Sequence, residues 1–345
     1  MLTTLRLRPV VVAPGGRRRG RRDTGYCRYN WVMRTFGFRQ AAEFWEVAGD
    51  CELAFRLHAL VGGAPEYKDL CGGAGPRSLA DFDQWVQLRL LNPASVMFRS
   101  GGLTLDEEVP AADLTACVSV LGAITAGAAR PAEIAAALGR TEGAVDDPLA
   151  ALTAMGVIER LQDPLDGERS RLVIVRPIAR LYQLVVAPYE AELAAGQADR
   201  VWGLSRAAVE GGIYRPHFAS VARQWCLRHA ASTTLGGAAR AARPVMLACR
   251  EHLREHELEA VFVEEPVATG RVLAIGETNA ASGPMHTAQL RWLEHLRGLL
   301  PGARVAQPPK LLLFSRTGFS SGLSEEAAAR PDVELISLDR IYEGA

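Results

Sequence analysis

Four short apolar runs, Leu258 to Val263, Val272 to Gly276, Leu311 to Phe314 and Val333 to Ile336, occupy the last third of the chain. Runs of about four to eight residues bounded by turn-forming residues read as strands. Between them, Met285 to Leu300 is amphipathic at the helical period and Ser324 to Ala329 is a shorter helical stretch. From Ile178 onward the order is therefore helices first, then strand and helix in alternation, the pattern of an α/β domain.

Residues 111–176 follow a different pattern. One helix is expected from about Leu114 to Ala126, a second from Pro131 to Leu138 with proline in its first turn and Gly139 as its stop, and a third ending near Gly156. Val157 to Leu161 and Arg171 to Val175 then flank the turn-rich Asp163-Pro164-Leu165-Asp166-Gly167. Three helices and a hairpin in this order make a winged helix, with Asp163 to Gly167 in the wing.

Residues 36–110 carry helical spacing, with Phe44, Trp45, Leu53, Phe55, Leu57 and Leu60 as the apolar face and Asp50 as a cap. The helix ends at Gly62-Gly63-Ala64-Pro65, and another runs from Ala80 to Leu91 after Ser78. Residues 1–35 read as a disordered basic leader around Arg17 to Arg22, without a sustained period. The expectation for it is a tail without function, or a start placed too early with Met33 as the true one; a nucleic-acid-binding arm is the alternative.

The formal net charge is zero, so no global field selects nucleic acid or membrane as a partner. Six cysteines, Cys27, Cys51, Cys71, Cys117, Cys226 and Cys249, form no Cys-x-x-Cys pair and read as reduced thiols. The apolar stretches fall far short of the roughly 20 residues that span a bilayer, and a cytoplasmic location is expected.

Positive charge comes almost wholly from arginine, since Lys68 and Lys310 are the only lysines. A Walker A loop needs a lysine after glycine to reach the β and γ phosphates, and neither lysine has that neighbour. ATP is not bound in that way.

Gly62-Gly63-Ala64-Pro65-Glu66-Tyr67, the pattern of 111–176, and Val272-Leu273-Ala274-Ile275-Gly276-Glu277 together resemble a family of bacterial and archaeal AAA-like ATPases, over about Phe36 to Glu343. In that family a P-loop core precedes a helical lid, a winged helix and a domain resembling PD-(D/E)XK restriction endonucleases. The resemblance implies an α+β multidomain chain: leader 1–35, lid remnant 36–110, winged helix 111–176 and nuclease-like domain 177–345. Roughly 35 residues ahead of Phe36 cannot hold an ATPase core. ATP therefore enters only if an upstream core exists, and an ATPase domain acting in trans is an implied partner.

PD-(D/E)XK nucleases set an acid on one strand and Glu-x-Lys on the next, so that carboxylates hold Mg²⁺ and the lysine orients water. The resemblance places Glu259 and Glu277 as the carboxylates and metal ligands and Asn279 at the lysine position, with Ala219 where a helix glutamate is usual. Asn279 cannot replace lysine electrostatically. The expectation is an accessory or truncated member of the family: a DNA- or partner-binding module with a degenerate nuclease-like domain. A Mg²⁺-dependent DNA endonuclease and a non-functional fragment of a full ATPase are the alternatives.

DNA contact through the winged helix would fall to Arg140, Arg169 and Arg171. Against base reading, Thr141 to Met155 holds Glu142, Asp146 and Asp147 and no basic residue. A protein-facing or interdomain winged helix stands as the other reading. His252-Leu253-Arg254-Glu255-His256 matches the inverted zincin motif but abuts the strand-like Glu257 to Val263, which argues against a metalloprotease helix. Ser315 to Gly322 is a glycine- and hydroxyl-rich loop after a strand, read as an ordinary connection because it lacks GxGxxG spacing.

Overall fold

The computed structural model describes residues 35–99 and 111–344. Nearly all of the basic leader, with Arg17 to Arg22 and Cys27, lies outside the described residues, as do 100–110 at the end of the lid-like segment.

Helix Cys51–Val61 begins where the sequence caps it: the Asp50 carboxylate accepts a hydrogen bond from the Leu53 N–H at 2.9 Å. Leu53, Ala54, Phe55, Leu57, Ala59, Leu60 and Val61 are all buried, so this is a core helix and not a surface one. It stops at Gly62, whose φ of 76° suits glycine. Gly63 serves a separate need. Its carbonyl accepts from the Phe36 N–H at 2.8 Å, and a Cβ added there would sit 2.0 Å from the Phe36 carbonyl oxygen. Gly63→Ala is expected to cost about 1–3 kcal/mol, read as a lower urea midpoint at unchanged m-value. Gly49→Ala, with open space around its Cα, is expected to stay within about 0.5 kcal/mol.

Helices Phe38–Phe44, Glu66–Leu70, Leu79–Arg89 and Val96–Arg99 also belong to this part, Leu79–Arg89 capped by the Ser78 hydroxyl on the Asp81 N–H at 3.3 Å. The next segment folds as helices Ala111–Thr125, Pro131–Ala137 and Asp146–Ala154, followed by β1 (Ile158–Gln162) and β2 (Ser170–Ile174). β1 and β2 pair antiparallel, Ile158 opposite Ile174 and Gln162 opposite Ser170. A core of its own, including Val120, Leu121, Ile134, Leu152, Ile158 and Leu172, holds this unit together.

The tail forms one sheet in the order β3 (Ala241–Cys249), β4 (Arg254–Val263), β5 (Val272–Asn279), β6 (Lys310–Ser315) and β7 (Val333–Ser337). β3, β4 and β5 are antiparallel neighbours, whereas β5, β6 and β7 run parallel. Four of the five follow the apolar runs. β3 was not expected as a strand, because Pro244 interrupts its alternation of Val245, Leu247 and Cys249. The ladder accommodates that proline with a bulge: Arg243 faces Val261 and Val245 faces Leu258, so Glu259 and Ala260 together oppose Pro244.

Both faces of the sheet are covered. Leu312 and Phe314 point into one core with Phe218, Val221 and Trp225 of helix Arg215–Arg228. Leu311 and Leu313 point into the other, with Leu290, Leu293 and Leu296 of helix Thr287–Gly298 and Leu323 of helix Ser321–Ala328. The first core also takes in Phe38, Leu53, Phe55 and Leu60, so the N-terminal helices and the sheet share one hydrophobic interior. Phe55 meets Phe218 edge-on at 5.7 Å, and Trp225 meets Phe314 at 6.4 Å. The chain is an α+β protein built on a five-stranded mixed sheet, and no helix among the described residues is long and apolar enough to cross a membrane.

Candidate functional site

The bulge at Pro244 carries Glu259. The Glu259 Oε2 accepts from the Thr278 N–H at 2.8 Å and from the Thr278 hydroxyl at 2.5 Å, while Oε1 stands 3.5 Å from Arg215 Nη2. The half-buried Arg223 donates to the Glu259 carbonyl at 3.0 Å. Ala260 pairs with Gly276, which brings Glu277 of β5 alongside Glu259 of β4. The sheet thus brings together the two acids expected from the sequence.

Their environments differ. Glu277 Oε2 is buried and has no hydrogen-bond partner among the described residues. Burial first, then the charges of Glu259 and Glu257, push the Glu277 carboxyl up to about 8, with Arg215 pulling the other way. Burial thus favours the protonated form of Glu277, while Glu259 is bonded as an acceptor. Burial draws the Arg223 guanidinium down to about 10 against the opposing effect of Glu259.

Asn279 does not join the pair. Its Nδ2 donates to the Gly283 carbonyl at 2.9 Å and its Oδ1 accepts from the Ala281 N–H at 3.1 Å, so the amide shapes the loop after β5. Ala219, at the place of the expected helix glutamate, is a buried core residue. The orphaned Glu277 oxygen beside Glu259 suits the holding of one hard cation. The hydrolytic set does not fit, because no cation stands at position 279 to orient water and the better-placed Glu259 oxygen already has two donors.

The three arginines considered for DNA take different positions. Arg169 bonds Glu255 at 2.7 Å and Asp166 at 3.1 Å, and Arg171 bonds Glu257, so both tie the β1–β2 hairpin to β4. Arg140 is exposed after helix Pro131–Ala137. The first half of the Asp163 to Gly167 turn is tucked in: Asp163 is buried and accepts from the Leu165 and Asp166 N–H groups, while Asp166 and Gly167 are exposed. Leu165 packs against the second sheet core, and Arg304 donates to the Pro164 carbonyl at 3.0 Å.

The loop after β6 is closed by its own hydroxyls. Ser315 donates to the Gly318 carbonyl at 2.6 Å, Thr317 to the Gly283 carbonyl at 2.7 Å, and Ser320 caps helix Ser321–Ala328. Arg316 turns inward to Glu52 and Glu210. His252 to His256 is not a helix but crosses the β3–β4 hairpin turn, where Cys249 pairs with Arg254. Its Glu255, the would-be base of a zincin, is held by Arg169.

Sequence reasoning did not reach Thr278, Arg215 or Arg223. Thr278 is adjacent to Glu277 and was open to notice; the two arginines come from a helix far back in the chain, and no spacing rule links them to β4. In comparisons with known proteins, no family model, no curated protein and no solved structure matches the chain.

Proposed function

We propose that the chain is an accessory member of the AAA-like ATP-binding family that works as a binding module, its nuclease-like sheet retained as a scaffold that does not cleave. The observation that carries this reading is the engagement of Asn279 with Ala281 and Gly283, which leaves the acid pair without a cation at the lysine position. The three helices and hairpin of 111–174 have the order of a winged helix, and their own core supports that reading. Because Arg169 and Arg171 are occupied by β4 and the start of the β1–β2 turn packs against the sheet, Arg140 is the arginine of the three left to meet a phosphate.

A second reading, a Mg²⁺-dependent DNA endonuclease, is favoured by one feature, the buried Glu277 oxygen without a partner beside Glu259. Incubation of the full chain with supercoiled plasmid and Mg²⁺ separates the two. The binding module predicts intact plasmid. Nicking that disappears in Glu277→Gln establishes the endonuclease. A gel shift of duplex DNA, run in parallel, identifies the partner. Retention that Arg140→Glu weakens, with a salt slope lower by about one, selects DNA. No retention selects a protein partner, of which an ATPase domain in trans is the one the family resemblance implies.

A further inference from the structure

Three of the chain's seven histidines and one cysteine converge at one end of the sheet. Cys249 ends β3, His252 lies in the hairpin turn, His256 is in β4, and His295 belongs to helix Thr287–Gly298. One donor atom from each lies within 4.8 Å of every other. The Cys249 Sγ is 3.4 Å from His252 Nδ1 and 3.4 Å from His295 Nε2, and His252 Nδ1 is 2.9 Å from His256 Nε2. A tetrahedral zinc with Zn–S about 2.3 Å and Zn–N about 2.0–2.1 Å sets its ligand atoms roughly 3.3–3.6 Å apart. Three of the six separations, at 2.9 to 3.4 Å, are already near that spacing, and the others need a closure of no more than about 1.5 Å.

The hairpin explains why they meet. His256 faces Leu247 across the ladder, so it shares a sheet face with Leu247 and, two residues on, with Cys249. That face packs on helix Thr287–Gly298, whose leucines 290, 293 and 296 fill the core beneath. His295 thus reaches the turn end of the hairpin from the helix, while the turn brings His252 to the same place. Cys249 and His256 are buried. Trp292 walls the site, stacked on His295 at 5.4 Å and edge-on to His256 at 4.8 Å. The His295 Nδ1 faces Glu251 Oε2 at 3.7 Å, beyond hydrogen-bond length but within a small closure of the carboxylate–histidine contact that orients a metal-bound imidazole.

We propose that Cys249, His252, His256 and His295 form a zinc site that clamps the β3–β4 hairpin to helix Thr287–Gly298. One thiolate with three imidazoles suits zinc, and four protein ligands leave no position for a water, so the site is structural and not hydrolytic. The inverted zincin pattern noted in the sequence is thereby half explained: its two histidines are ligands, joined by Cys249 rather than served by Glu255. This inference is independent of the binding-module reading and of the Glu259–Glu277 pair.

The test uses the full chain, stripped with chelator under reducing conditions and titrated with Co²⁺, then Zn²⁺. Expected are about one metal per chain, the strong visible bands of tetrahedral Co²⁺ with a thiolate charge-transfer band, their loss on adding Zn²⁺, and a higher Tm with Zn²⁺. Cys249→Ser is expected to abolish the thiolate band and weaken binding by more than about 100-fold, and Glu251→Gln by about 10-fold. Should Cys249→Ser fail to fold, His252→Gln replaces it, since residue 252 is exposed on the turn; a loss of affinity of more than about 10-fold is expected. Absence of the tetrahedral spectrum in the wild-type chain, or unchanged affinity in these ligand variants, overturns the proposal.

Discussion

Arg316→Met is expected to destabilise the protein by about 3 kcal/mol at neutral pH, measured by urea denaturation. The Arg316 side chain is 3% exposed. Its Nε and Nη2 fork onto Glu52 at 2.9 and 2.7 Å, and its Nη1 reaches Glu210 and the Ala280 carbonyl, each at 2.9 Å. Phe55 and Tyr214 lie against the guanidinium at 5.3 and 5.0 Å. Burial opposes the charge, but the bonds to Glu52 and Glu210 outweigh it and hold the guanidinium ionised. Methionine restores the volume and none of the donors, leaving Glu52 and Glu210 beside an apolar patch. Breaking a buried pair costs about 3–5 kcal/mol; the lower end applies because Glu52 keeps Arg56 and Glu210 is partly solvated. Adding Glu52→Gln should recover part of the loss through a favourable coupling in a double-mutant cycle. A single-variant cost below about 1 kcal/mol would show that the network is peripheral.

Arg316 also shows where sequence reasoning stops. Caps and periods are local, so Asp50, Ser78, the β1–β2 hairpin and four strands of the sheet were legible from neighbours a few residues away. β3 was hidden because its proline is absorbed by a bulge, and a bulge is a property of the paired strand rather than of the run itself. Arg169 and Arg171 looked free for phosphate because their partners, Glu255 and Glu257, lie 86 residues on. Nothing in the local pattern announces such docking. The acid pair was reached through the family resemblance, which places an acid on each of two adjacent strands. The proton on Glu277 was not, because it depends on burial and on how the bulge turns Glu259. Cys249-x-x-His252-x-x-x-His256 was readable throughout, but a search for paired cysteines passes over it, and His295 joins only through the helix packed beneath the hairpin.

Glu277→Gln is expected to stabilise the protein at alkaline pH and to leave it nearly unchanged in acid. The Glu277 carboxyl is raised from 4.5 to about 8, so the folded state binds the proton more tightly than the unfolded chain does. The stability this supplies is complete below about pH 4.5, falls as pH rises, and is gone above about pH 8, where Glu277 is ionised beside Glu259. Glutamine keeps the shape and has no proton to lose. Each unit of pKa corresponds to about 1.4 kcal/mol; allowing for rearrangement of Glu259, Glu257 and Arg215 around the new charge, the variant should gain roughly 2–4 kcal/mol at pH 8.5. Stability curves of the two proteins from pH 4.5 to 9, compared as differences, isolate this group from the others that titrate. Parallel curves would show that Glu277 is ionised and solvated in the folded protein. Repeating the pH 8.5 measurement with Mg²⁺ extends the test: stabilisation of the wild type alone would mean that the cation binds the ionised acid pair, whereas no response in either protein would mean that the pair holds no Mg²⁺.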